Sequence, residues 1–112
     1  MNDNVVKTDW GYEIVWAKTE NYCGKILVFE KANKIMPFHF HAKSSKSWFV
    51  NAGKFKAQWI DTETGKTFAQ EMPEGAVLHV DAFMPVMLES LNDNSAMAEV
   101  SNIIEDDIHR LK

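Results

Sequence analysis

The feature that most constrains this chain is a run of short apolar stretches, each cut off by a turn signal within about ten residues. Tyr12, Ile14 and Trp16 alternate with other residues across 11–18, and Ile26, Leu27, Val28 and Phe29 crowd the end of 22–29. Further stretches follow at 35–41, 47–50, 54–60, 66–70, 76–80, 86–91 and 96–101. Between them lie Ala32-Asn33-Lys34, Asn51-Ala52-Gly53, Asp61-Thr62-Glu63-Thr64-Gly65 and Asn92-Asp93-Asn94-Ser95, all rich in residues that accept turn geometry. Eight or nine such strands predict an all-β sandwich or barrel. No segment between strands is long enough for a helical crossover, which excludes a parallel α/β sheet. One helix is expected, a short C-terminal tail over 102–111, where Ile103, Ile104, Ile108 and Leu111 fall near helical spacing.

The chain has 112 residues, which predicts one domain (1–112, barrel about 9–101) with no repeat and no linker. Its single cysteine, Cys23, cannot close an internal disulfide, and the first ten residues lack the layout of a signal peptide. A reducing cytoplasm is therefore the expected compartment, and no apolar run is long enough to span a bilayer. Twelve basic residues against sixteen acidic give a net charge of −4, and Arg110 is the single arginine. That balance argues against nucleic acid as a partner. The charge is unevenly placed: 31–60 holds six lysines and no acid. Such a run serves either as a solvated, edge-guarding face or as a local positive field.

The chemical signal is His39-Phe40-His41. Residues two apart on a strand share a face, so both imidazoles point the same way. Two imidazoles can contribute to a divalent transition-metal site (Zn, Mn, Fe or Ni), but a third or fourth donor must come from elsewhere.

The surroundings of this pair resemble the cupin superfamily, small barrels of the double-stranded β-helix (jelly-roll) type. The first motif of that family runs Gly, His-x-His, Glu, Gly. At the family's spacing this chain has Asn33, His39 and His41, Lys46 and Gly53. The second motif runs Gly, Pro-x-Gly, His, Asn, and the chain has Gly75, Asp81, Phe83, Val86 and Ser90. Trp10-Gly11-Tyr12-Glu13, Asn21 to Lys25 and Ser47-Trp48-Phe49-Val50 are similar to small cupins related to the C-terminal part of mannose-6-phosphate isomerases. The resemblance spans Asp9 to Ser101.

In the family, two His, one Glu and a later His bind the metal. Carried over by position, only His39 and His41 match; Lys46 stands at the Glu place and Val86 at the final His place. An ammonium would then sit where a cation binds, and like charges repel strongly in a low-dielectric site. Asn33 for Gly is mild, since both accept positive φ. His79, after Pro73-Glu74-Gly75, offers a rival register, but Leu78 and Val80 are the natural inward residues of that strand. Glu13, Tyr22, Cys23, Asp81 and Glu89 are further conceivable donors without a spacing argument.

Strand parity gives an inward set of His39, His41, Lys46, Trp48, Val50, Phe55, Trp59, Val86 and Leu88. An inward lysine must reach solvent, pair with a carboxylate, or meet an anion. Three function classes follow. The first is a metal-free binding module in which His39, His41 and Lys46 grip a small anionic or sugar-like ligand beside Trp48 or Trp59. The second, implied by the resemblance, is a metal-dependent enzyme such as a sugar-phosphate isomerase using His39 and His41. The third is a non-catalytic interaction domain. Phe38, Phe40 and Phe49 would face outward, which suggests a homodimer.

Overall fold

The computed structural model describes residues 4–102 and 108–110. Its strands are β1 (Val5–Lys7), β2 (Tyr12–Lys18), β3 (Cys23–Phe29), β4 (Ile35–His41), β5 (Lys46–Ala52), β6 (Lys54–Ile60), β7 (Thr67–Pro73), β8 (Val77–Val80), β9 (Val86–Ser90), β10 (Ser95–Ser101) and β11 (Ile108–Arg110). They form two sheets, β1-β2-β3-β10-β5-β8 and β11-β4-β9-β6-β7. Each pairing is antiparallel. This is the expected all-β jelly roll, in which hairpins and long connections alternate between the sheets.

The inward residues of both sheets meet in one core. Leu27, Phe29, Trp48, Val50, Phe55, Met72, Val86, Leu88 and Met97 are essentially inaccessible. Phe55 meets Phe29 edge-on with centroids 5.1 Å apart, and Phe29 stacks on Trp10 at 4.5 Å. Tight connections fix the registers. Gly65 closes the β6–β7 hairpin with φ 75° and donates to the Asp61 carbonyl at 2.7 Å. Gly53 turns the chain from β5 to β6 with φ 75°, and a Cβ there would lie 2.2 Å from Ser95 Oγ. Asn33 has φ 65° and Phe83 has φ 66°, so the two motif positions that lack the glycine still keep the left-handed backbone.

Two expectations need correction. The C-terminal helix is not found among the described residues: Ile108–Arg110 form β11, paired with β4 through Ile108–His41, His109–Phe40 and Arg110–His39. Residues 103–107 and 111, where the rest of that helix was expected, lie outside the described ones. Near-helical spacing misled because an edge strand beside β4 offers unpaired N–H and C=O groups, and pairing with them outweighs local periodicity. The phenylalanine patch is also not formed as expected. Phe38 and Phe40 are half-buried on β4, whereas Phe49 is exposed on β5, in the other sheet. Phe40 is covered by the rings of Phe83 and His109, at 6.3 and 5.0 Å. Among the described residues no helix is long and apolar enough to cross a membrane.

Candidate functional site: an ammonium held by two imidazoles

Pro37 interrupts β4. It has no N–H to donate, and the register with β9 shifts between Met36 and His39. The shift turns the Pro37 carbonyl toward the His39 ring, with Nδ1 2.9 Å away. A carbonyl only accepts, so the ring hydrogen sits on Nδ1 and Nε2 keeps its lone pair. That lone pair is 2.7 Å from Nζ of Lys46, which donates to it. The second imidazole, His41, presents Nε2 to the same ammonium at 3.4 Å.

Lys46 opens β5 and is 6 % exposed. Besides the two imidazoles it faces Glu99 on β10, with Nζ 3.8 Å from Oε1, and lies 4.7 Å from the centre of the Trp48 ring. Trp48 Nε1 donates to the same carboxylate oxygen at 2.8 Å. Next to this cluster, Lys25 and Glu13 form an ion pair at 3.2 Å. These groups line a cavity of about 150 Å³, together with Trp10, Met36, Ile108 and Arg110 among others.

The electrostatics follow from burial and from these contacts. Burial and the ammonium of Lys46 push the His39 imidazole down to about 4, so His39 is neutral at neutral pH. Burial lowers Lys46 from its ordinary value against the opposing pull of Glu99. Burial raises the Glu99 carboxyl, yet Lys46, the Trp48 N–H, Lys25 and His39 together hold it below the usual carboxylate range. Lys25 is lowered by burial but raised more by Glu13 and Glu99. The contacts agree with these directions: the His39 lone pair accepts an N–H from Lys46, and Glu99 accepts the indole N–H.

The structure brings His39, His41 and Lys46 together as the motif spacing anticipates. Val86 is fully buried opposite His39, while His79 points to the outer face and bonds Ser47 Oγ at 2.7 Å. Val86, not His79, is therefore the residue that faces the core beside His39. Trp48 is wholly buried beneath the ammonium, and Trp59 stacks on Phe68 at 5.9 Å, away from the cavity wall. Sequence reasoning missed Glu99 and Lys25 as site residues. Both were legible as charged residues in phase with inward apolar ones, Glu99 with Met97 and Lys25 with Leu27. Arg110 was missed because its strand was read as helix.

A divalent cation does not fit this donor set. Both imidazole nitrogens aimed at the centre are occupied by Lys46. Among the described residues no three His, Cys, Asp or Glu side chains group as a metal site. Val86 closes the remaining ligand position with hydrocarbon.

Comparisons with known proteins agree with the fold. A variant of oxalate decarboxylase from Bacillus subtilis superposes with a TM-score of 0.82 at 16 % identity, over 96 % of this chain and 30 % of that one. The structure of the same enzyme at pH 4.6 gives 0.81 at 17 % identity, over 96 % and 29 %. CapF with the inhibitor 3-isopropenyl-tropolone gives 0.83 at 16 % identity, over 96 % and 33 %. The chain thus spans about a third of the length of these proteins, and the likeness is one of fold. No curated protein matches. The family model for cupins matches residues 17–103, most of the chain from within β2 past the end of β10, and on that match the protein belongs to the cupin family.

Proposed function

We propose that this chain is a binding module whose cavity takes a small anionic, oxygen-rich ligand without a metal ion. The observation that carries the reading is the charge count of the cavity wall. Among the described residues Lys46 faces Glu99 and Lys25 faces Glu13, so those two pairs cancel, and Arg110 adds one positive charge to the wall. Arg110 is the Cα partner of His39, so both side chains lie on the same, inward face. A guanidinium there offers a planar fork to a carboxylate or phosphate. The half-buried His41 lines the same cavity, and Trp10 supplies an apolar wall. In this reading Lys46 acts as a fixed internal cation that orients the two imidazoles. Sugar-phosphate isomerisation through a bound metal would need the same two imidazoles, and no feature of the site favours it.

The test is a chemical-shift titration with hydroxy-carboxylates, sugar phosphates and neutral sugars of the same size. Anionic members should perturb His41 and Trp10 while neutral sugars do not. Arg110→Ala should weaken binding about tenfold or more, as expected for a lost charge-assisted hydrogen bond. Equal binding of neutral and anionic members, or perturbations confined to the outer surface, would contradict the proposal.

A further inference from the structure

Among the described residues Lys46 is the one buried lysine, and it forms part of the cavity wall. The binding role above uses it only as a cation. Its nitrogen is also a nucleophile whenever it is neutral, and burial works in that direction. The base that would make it neutral is already in place. Nε2 of His39 lies 2.7 Å from Nζ with its lone pair turned toward it. The Pro37 carbonyl, 2.9 Å from Nδ1, supports the ring when it carries a second proton. An anchor for a reacting molecule stands on the same wall: Arg110 lines this cavity and is the Cα partner of His39. A cavity of about 150 Å³ takes a molecule the size of benzene, and a short oxo acid such as pyruvate is comparable.

We infer that Lys46 captures small α-oxo acids as a reversible imine, with Arg110 holding the carboxylate and His39 carrying the protons. The choice of an acid rests on the anion-binding reading above; the amine chemistry rests on Lys46 and His39. The ammonium gives one proton to His39 Nε2. The freed amine attacks the carbonyl carbon, a C–N bond forms, and the carbonyl π pair moves to oxygen, which takes the proton from His39. His39 then removes a second proton from the nitrogen and returns it to the hydroxyl. The C–O bond breaks, water leaves, and the nitrogen lone pair closes the C=N bond. Ammonium and carbonyl become iminium and water, with no oxidation and no change of net charge. The iminium carries its charge where the ammonium did. Glu99, 3.8 Å from Nζ, and the Trp48 ring, 4.7 Å from it, therefore face the same charge before and after.

Reductive trapping on the full chain tests this. The protein is incubated with pyruvate and sodium cyanoborohydride, which fixes an imine as a secondary amine, and the modified lysine is located by peptide mass spectrometry. Lys46 should be modified at least about tenfold faster than the exposed Lys31, Lys34 and Lys66. His39→Gln should slow modification of Lys46 about a hundredfold and leave that of Lys31 unchanged. If His39→Gln does not fold, the site distribution on wild type decides alone. Arg110→Ala should bring the rate with pyruvate down to that with acetone. Modification confined to exposed lysines would overturn the inference. Pyruvate that perturbs the cavity in the chemical-shift titration yet never modifies Lys46 would overturn it and leave the binding reading standing. Lys46 modified equally fast by acetone and by pyruvate would uphold the imine and overturn the anionic ligand.

Discussion

Nζ of Lys46 lies 2.7 Å from Nε2 of His39, so the lone pair that a metal ion would use is spent on an ammonium from the same chain. The bond exists because Pro37 claims the other ring nitrogen and because Glu99 holds the ammonium inside the barrel. Several measurable consequences depend on that arrangement.

Removing the cation leaves Glu99 buried with a hydrogen bond from Trp48 but without its facing charge. Lys46→Met should therefore destabilise the fold by about 3 kcal/mol, the usual cost of breaking a buried pair from one side. Lys46→Met/Glu99→Gln should recover much of that loss, since it removes both charges. Urea unfolding of the four proteins in the cycle measures it; additive losses would show that the two residues do not interact.

Replacing the ammonium by a carboxylate should reverse the site's preference. In Lys46→Glu the two imidazoles are released and an anionic donor is placed among them, a set suited to a divalent transition metal. Cobalt(II) titration should give a stoichiometric visible spectrum for this variant and none for wild type. Adding His39→Ala to the variant should abolish it. A variant that binds no better than wild type would mean that Nζ does not mark the point where the two rings converge.

The pH dependence has a defined sign. His39 titrates near 4 in the fold against an ordinary 6.5. Between those values the unfolded chain binds a proton that the folded chain refuses. Stability is thus unaffected by His39 above pH 6.5 and falls as pH drops toward 4, by about 3 kcal/mol in all. Denaturant midpoints across this window, with an NMR titration of the His39 ring, check it. A ring midpoint at or above 6.5 would contradict the neutral, hydrogen-bonded imidazole.

The β5–β6 turn gives a prediction about the scaffold alone. Gly53 has φ 75°, and an added Cβ would press on Ser95 at both Oγ and the backbone. Gly53→Ala should lower stability by about 1–2 kcal/mol or more from the left-handed backbone alone. Thermal unfolding reads this directly, and an unchanged midpoint would show that the turn relaxes freely.

Much of this was legible in the sequence, for local reasons. The strands from 12 to 101 announce themselves because each is bounded by turn residues and alternates in phase with one core. The convergence of His39, His41 and Lys46 was legible because two residues share a strand face and the third follows at a familiar spacing. What stayed hidden depends on pairing between distant segments. Glu99 meets Lys46 only because β10 lies beside β5, and Arg110 reaches the cavity only because β11 pairs with β4. The grouping of exposed apolar residues on the six-stranded sheet was hidden for the same reason. Phe49, Val77, Val100 and Trp16 come from four strands, and a sequence does not say which strands are neighbours.

The central claim is that Lys46 takes the place of a metal ion. Elemental mass spectrometry of untagged protein purified without chelator tests it most directly, with His39→Ala/His41→Ala as control. The account predicts transition metal well below one equivalent, unchanged in the control. Near one equivalent of zinc, manganese, iron or nickel, lost in the control, would contradict it.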